Sequence, residues 1–176
     1  QLVFEEKRYT GDELLQAVYD NWEGHDQLYA LVNSSKIHHY GNDDDYADEL
    51  FKFVYESFCR NLNKGTNPRG GSYIPGVYTV NANVGLGLAT NASLDGRKNG
   101  EPLSDNMGPV HTQGSQHDVS GPTALINSVA KVDHSLAQNG TLLNARFPEE
   151  AVSGEEGRDN LVSFVDEYLD KGGMHI

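Results

Sequence analysis

A glycine-rich central segment, residues 65–121, constrains the fold of this chain more than any other feature. It holds eleven of the nineteen glycines and four of the six prolines. Glycine weakens helix interiors through its conformational freedom, and proline removes a backbone donor. The segment therefore predicts loop-rich, closely packed backbone. We expect one partial domain over residues 1–176, made of a helical part (1–65), a strand and loop part (66–121) and a helix–strand–helix part (122–176).

The first part carries helical periodicity. Thr10 and Glu13 have the spacing of a capping box, and a short second helix is predicted over residues 27–32. The acidic residues 42–45 supply a cap and a negative first turn to a third helix. The predicted inward face of the first helix consists of Leu14, Leu15, Val18, Tyr19 and Trp22. That of the third consists of Ala47, Leu50, Phe51, Val54, Phe58 and Leu62.

Three short segments read as strands. Residues 77–84 and 141–147 are rich in β-branched, aromatic or apolar side chains, and residues 174–176 resemble the start of a third strand. A helix capped by Ser120, with Pro122 in its first turn, lies between the first two. Its apolar face consists of Leu125, Ile126, Val129 and Val132. The last helix, over 157–170, turns Leu161, Phe164, Val165, Tyr168 and Leu169 inward and ends at Gly172.

Charge and composition exclude several classes of protein. The chain has 26 acidic and 13 basic residues and a net charge of −13, whereas a protein that neutralises nucleic-acid phosphates needs an excess of lysine and arginine on one face. No apolar run approaches the roughly 18–20 residues of a membrane span. A single cysteine, Cys59, excludes a disulfide-stapled fold and favours a cytoplasmic setting.

Four sets of residues could be mistaken for a binding or catalytic site, but each has an ordinary structural explanation. The acidic cluster at 43–49 does not follow the spacing of a calcium-binding loop, and residues 85–90 match only the start of a dinucleotide fingerprint. His111 and His117 have no metal-ligand spacing, so we expect them at the surface or anchoring loops, with no metal bound. Cys59 adjoins the apolar face of a helix, which is typical of a core thiol rather than a nucleophile.

Several stretches together resemble one enzyme family in order and spacing. They are residues 40–46 (YGNDDDY), 93–98 (SLDGRK), 100–105 (GEPLSD), 121–124 (GPTA), 128–133 (SVAKVD) and 139–144 (NGTLLN). On these motifs the chain resembles the C-terminal third of a glycyl radical enzyme. The group is pyruvate formate-lyase-like and includes glycerol and diol dehydratases, choline trimethylamine-lyase, isethionate sulfite-lyase and arylacetate decarboxylases.

The resemblance implies an α/β fold and a radical mechanism. The whole enzyme is expected to be a ten-stranded barrel of two antiparallel half-barrels of parallel strands, with surrounding helices, and to form a homodimer. An iron–sulfur activating enzyme that uses S-adenosylmethionine installs a glycyl radical. That radical acts through a cysteine on a small-molecule substrate, cleaving a C–C, C–N, C–S or C–O bond in anaerobic metabolism.

Two motifs of the family are missing from the chain. The Gly-Cys catalytic loop is absent, and Cys59 has the wrong context to replace it; the glycyl radical loop should follow residues 174–176. The resemblance thus implies an internal fragment that holds no catalytic residue, binds no cofactor itself and is inactive alone. Leu94 also stands where many relatives have proline before the Asp-Gly-Arg turn.

Three residues are candidates for the wall of the substrate cavity. If residues 77–84 form a barrel strand, alternate side chains face inward, and we favour the set with Asn81 and Asn83, together with Leu86 near the cavity mouth. Polar groups facing a site can orient substrate. The alternative is that the asparagine amides hold loop backbone. Asp95 and Arg97 are expected to form a turn and its anchoring ion pair.

Two other functions remain open from the sequence. The chain could be a non-catalytic structural or binding remnant of the same fold. A calcium-binding or nucleotide-binding domain is the third alternative, and it depends only on the partial acidic and glycine matches.

Overall fold

The computed structural model describes residues 1–112 and 115–176. Seven α-helices are described in this part of the chain: α1 (Gly11–Tyr19), α2 (Asp26–Val32), α3 (Asp45–Leu62), α4 (Ala82–Leu88), α5 (Pro122–Ala130), α6 (Glu149–Val152) and α7 (Gly154–Asp170). A short 3-10 helix, His134–Leu136, follows α5. No helix among the described residues is both long and apolar enough to cross a bilayer.

Two helix starts form as local chemistry dictates. Thr10 accepts a hydrogen bond from the Glu13 amide while the Glu13 carboxylate accepts one from the Thr10 amide, which confirms the capping box of α1. The side chain of Asp44 accepts from the Tyr46 amide at the start of α3. The predicted cap of α5 is wrong: Gly121 is the N-cap, with φ +92°, and Pro122 occupies the first turn.

The predicted strands are reduced to isolated backbone pairs in the described residues. Val77 pairs in parallel with Thr141, Leu142 pairs in parallel with His175, and Leu143 pairs antiparallel with Asn106. These bridges join residues 141–143 to three other segments of unit 2. Extended pairing at Val77 does not continue through residues 78–84.

The chain divides into two compact units, and each has its own apolar core. Unit 1 comprises Gln1–His39, Thr79–Asp105 and Pro109–His117, and unit 2 comprises Tyr40–Tyr78, Asn106–Gly108 and Asp118–Ile176. The core of unit 1 consists of Leu2, Ala17, Trp22, Leu28 and Val32. That of unit 2 consists of Tyr55, Cys59, Met107, Leu125, Ile126, Val129, Val132, Ala137, Leu143, Phe164 and Tyr168.

The inward faces of three helices differ from those predicted. In α3 the buried residues are Tyr55, Cys59 and Asp48, whereas Leu50, Val54 and Phe58 are exposed. A hydropathy pattern does not predict the burial of an aspartate such as Asp48. In α1, Leu15 and Tyr19 are exposed, and in α7 Leu161 and Leu169 are exposed while Phe164 and Tyr168 are buried. The predicted face of α5 is confirmed. Periodicity finds an apolar helix but not which part of a wide apolar surface faces the core.

Candidate functional site

The three predicted cavity residues do not lie on a strand: Asn83 and Leu86 lie on α4, and Asn81 is its N-cap. Val80 adopts φ +57°, an uncommon conformation for a β-branched residue, and the chain then begins a helix at Ala82. The predicted strand over residues 77–84 is therefore wrong beyond its first residues. Strand propensity measures how a side chain fits a pleated, half-buried surface, and here the backbone turns before such a surface can form.

The helix gives the three side chains different environments. Asn81 is the N-cap residue of α4, makes no side-chain capping hydrogen bond, and is exposed. Leu86 is also exposed. Asn83 is buried, its Nδ2 lies 3.5 Å from the carbonyl oxygen of Leu103, and its own carbonyl accepts a 3.1 Å hydrogen bond from the Leu103 amide. Asn83 thus contacts loop backbone, whereas Asn81 and Leu86 are exposed.

The backbone of α4 lies directly against the loop that follows it. A Cβ atom at Gly87 would lie 2.7 Å from the Cα of Pro102 and closer still to the carbonyl oxygen of Glu101. Only glycine permits this approach. The requirement explains why glycine interrupts an otherwise apolar helical stretch, and sequence patterns alone do not identify it.

A buried arginine organises the same loop. Arg97 is 1% exposed, and its Nη1 donates to the carbonyl oxygens of Lys98 (3.0 Å) and Glu101 (2.7 Å). Its Nε donates to Ser93 Oγ at 3.2 Å, and its Nη2 donates to the carbonyl oxygen of Asn91. Asp95 instead contacts Ser93 Oγ and the Arg97 amide. The predicted turn is confirmed, with Gly96 at φ +92°, but hydroxyl and carbonyl oxygens replace the predicted ion pair.

The other chemical candidates are engaged in packing. Cys59 is completely buried, and burial raises the pKa of its thiol, which confirms the core assignment. His117 is buried, with Nε2 2.9 Å from Asn33 Oδ1 and 3.2 Å from Ser115 Oγ, so it anchors a loop as expected. His39 stacks on it with ring centroids 3.8 Å apart. The described residues contain no group of three or more metal-ligating side chains placed to hold an ion.

The acidic cluster at the start of α3 surrounds a lysine that sequence reasoning did not single out. Lys131 Nζ lies 2.8 Å from Asp43 Oδ1, 2.8 Å from Asp45 Oδ1 and 2.7 Å from Asp48 Oδ2. Burial alone would lower the pKa of the ammonium group, but the hydrogen bonds to the three carboxylates outweigh it and raise the pKa. The cluster joins α3 to the end of α5 and does not leave an open cation site.

Comparison with known proteins identifies the class. Residues 1–87 match the pyruvate formate lyase-like family model, and residues 105–176 match the glycine radical family model. The chain belongs to the glycyl radical enzyme family.

Individual relatives support this membership. The chain is 70% identical over 176 residues to (2S)-3-sulfopropanediol dehydratase of Klebsiella oxytoca, covering 100% of this chain and 21% of the relative. It is 37% identical over 174 residues to trans-4-hydroxy-L-proline dehydratase of Clostridioides difficile, and this match covers 99% of this chain and 21% of the relative. The chain thus spans about a fifth of the length of the curated relatives it matches.

A solved structure shows that the fold is shared. The B12-independent glycerol dehydratase from Clostridium butyricum, in its glycerol-bound form, superposes with a TM-score of 0.88 at 39% identity. The match covers 100% of this chain and 22% of that chain. The coarse fold is therefore that of a glycyl radical enzyme segment.

Proposed function

We propose that these 176 residues are a segment of a glycyl radical dehydratase that removes water from a small hydroxylated substrate, with (2S)-3-sulfopropanediol as the first candidate. The observation that carries this proposal is the 70% identity, sustained over the whole chain, to the enzyme named for that substrate. The hydroxyproline dehydratase reaches only 37% over nearly the same length.

The reaction proposed for the whole protein balances as a redox-neutral elimination. A cysteine thiyl radical, formed from the glycyl radical, takes a hydrogen atom from the hydroxyl-bearing terminal carbon. A hydroxyl group leaves the neighbouring carbon with a proton, as water. The resulting carbonyl radical takes a hydrogen atom back from the cysteine thiol, and the product is an aldehyde.

The role proposed for this segment is scaffold and part of the cavity wall. Asn81 and Leu86 support it because both are exposed at the end and on the side of α4, while Asn83 holds the helix to Leu103. The parallel pairs of Val77 with Thr141 and of Leu142 with His175 are the pattern that neighbouring strands of the expected ten-stranded barrel would show.

The remaining parts of the proposal concern the whole protein. We include a radical-activating enzyme that uses S-adenosylmethionine and an iron–sulfur cluster, a homodimer, and a cytoplasmic location in an anaerobic cell. The matched glycine radical family model supports the first of these.

The experiment is anaerobic activation of the whole protein with its activating enzyme, followed by electron paramagnetic resonance and product analysis. We expect a glycyl radical doublet and an aldehyde, trapped by a carbonyl reagent, from (2S)-3-sulfopropanediol. Glycerol and trans-4-hydroxy-L-proline serve as matched alternative substrates. A full radical signal with no turnover of the sulfonated diol would overturn the proposed substrate. The absence of a radical under activating conditions would overturn the proposed mechanism.

A further inference from the structure

The position of α4 is set by backbone contact at two points one helical turn apart. At Gly87 the helix backbone approaches Glu101 and Pro102 so closely that a methyl group would overlap main-chain atoms. At Asn83, four residues earlier on the same face, main chain and side chain both contact the main chain of Leu103. Two contacts at this spacing fix both the distance of this seven-residue helix from residues 101–103 and its rotation about its own axis.

The surface that α4 contacts is itself held in place. The Glu101 carbonyl that Gly87 approaches accepts a 2.7 Å hydrogen bond from Arg97 Nη1. The carboxylate of Glu101 accepts a 2.8 Å hydrogen bond from the Lys98 amide. Main-chain atoms fixed in this way cannot swing aside as the end of a flexible side chain could, so an added methyl group must move the helix.

We propose that Gly87 is a positioning residue: its missing side chain sets α4 on residues 101–103 and thereby sets where Asn81 and Leu86 stand relative to substrate. The effect on substrate rests on the proposed function, whereas the contact of Gly87 with residues 101 and 102 does not. Asn81 and Leu86 are exposed on the helix that Gly87 positions. A displacement of about 1 Å at a substrate-positioning group can cost about 100-fold in rate.

The chain offers a matched control two residues away on the same helix. A Cβ at Gly85 would meet nothing within 4 Å. Gly85→Ala and Gly87→Ala make the same chemical change in α4, and both replace glycine with the better helix former. The two variants differ only in whether the new methyl group meets the backbone of Glu101 and Pro102.

The first readout is kinetic and is made on the whole, activated protein. We expect Gly87→Ala to lower kcat/KM for the diol about 10- to 100-fold, with the glycyl radical signal unchanged, and Gly85→Ala to stay within about twofold of the wild type. Equal activities of the two variants, with turnover by the wild type, would overturn the positioning role. An inactive wild type would instead overturn the proposed substrate.

The second readout does not need turnover. Hydrogen exchange of the Leu103 amide, which donates to the Asn83 carbonyl, should accelerate in Gly87→Ala and not in Gly85→Ala. Unchanged exchange in both variants would overturn the proposal whatever the substrate is. If Gly87→Ala does not fold, Asn83→Ala removes the side-chain part of the second contact and leaves the Asn83 carbonyl in place. Exchange of the Leu103 amide should then accelerate because α4 is held less firmly, and protection like that of the wild type would overturn the proposal.

Discussion

Arg97 shows how much one side chain can organise at the residue scale. It is almost fully buried, and its guanidinium group donates to Ser93 Oγ and to the carbonyl oxygens of Asn91, Lys98 and Glu101. A planar fork with five donors can satisfy acceptors in several directions, which a single ammonium group cannot do. The loop conformation from Ser93 to Glu101 depends on this geometry.

We expect Arg97→Lys to destabilise the protein by about 2–4 kcal/mol, because hydrogen bonds to a charged group contribute roughly 1.5–3 kcal/mol and buried carbonyls are left unsatisfied. Chemical denaturation of the whole protein measures this change. Arg69→Lys, at an exposed position, is the matched control and should change stability by less than about 0.5 kcal/mol. Equal effects of the two substitutions would contradict the assigned role.

His134 is a second buried group whose state depends on its surroundings. Its Nε2 lies 3.0 Å from the carbonyl oxygen of Val129, and its Nδ1 lies 2.7 Å from Thr141 Oγ1. The Val129 carbonyl can only accept, so Nε2 carries the proton and Nδ1 accepts from the threonine hydroxyl. Burial lowers the pKa of His134, outweighing the hydrogen bond to Val129 that favours the protonated ring.

We expect part of the stability to be lost as the pH falls below about 6.5. The unfolded chain binds a proton with the ordinary histidine pKa of about 6.5, whereas folded His134 resists protonation, so stability is present above that pH and decreases below it. Thermal unfolding between pH 7.5 and 5.5 should show a steeper decrease in Tm for the wild type than for His134→Asn. An identical slope for the wild type and His134→Asn would refute the expectation.

At the scale of elements, the contact between α3 and α5 depends on a buried charge. Asp48 is 1% exposed, and its Oδ2 accepts hydrogen bonds from Ser128 Oγ (2.9 Å) and Lys131 Nζ (2.7 Å). The Ser128 hydroxyl in turn accepts from the Asp43 amide at 2.8 Å. The acidic first turn of α3 is therefore more than a helix cap, because it also binds Ser128 of α5 and Lys131, the C-cap of α5.

We expect Lys131→Met to cost about 3–5 kcal/mol, because it leaves the buried Asp48 carboxylate without its cation. Asp45→Asn removes a largely exposed partner of the same lysine and should cost no more than about 1 kcal/mol. The double variant Asp48→Asn/Lys131→Met should recover part of the loss, since it removes the unpaired charge. Urea unfolding of the four proteins tests the ranking, and equal losses from Lys131→Met and Asp45→Asn would contradict it.

At the scale of the whole molecule, α3 presents apolar side chains on two sides. Phe51, Tyr55 and Cys59 face the core of unit 2, while Leu50, Phe53, Val54 and Phe58 are more than half exposed. A contiguous exposed apolar surface of this kind usually marks a place where another part of a protein packs. The relatives are about five times longer than this chain, and we expect the rest of the whole protein to cover the second face.

The isolated 176-residue chain should therefore self-associate and bind a hydrophobic dye. Leu50→Glu, Val54→Glu and Phe58→Glu together should increase its solubility, because they place charge on the exposed face. In the whole protein the same triple variant should lower Tm, since the face is then buried. A monodisperse, cooperatively melting isolated chain that binds no dye would contradict this expectation and favour an independent remnant of the fold.

Much of this protein follows from local chemistry, which short stretches of the sequence already contain. The capping box at Thr10, the acidic cap of α3, the turn at Gly96, the apolar face of α5 and the membership of the glycyl radical family all follow from residues close together in the chain or from ordered motifs. Hydrogen bonds that close within a few residues form in the same way in most surroundings, so their patterns are readable.

Features that depend on contacts between residues far apart in the chain became visible only in the folded structure. Residues 82–88 form a helix rather than a strand, and no local pattern identified the backbone of residues 101–103 as the surface against which Gly87 packs. The sequence likewise did not predict the partners of Arg97, the lysine within the acidic cluster or the exposed second face of α3. Strand formation and burial both need a partner surface. The whole fold determines which surface packs there, and no short window of the sequence specifies it.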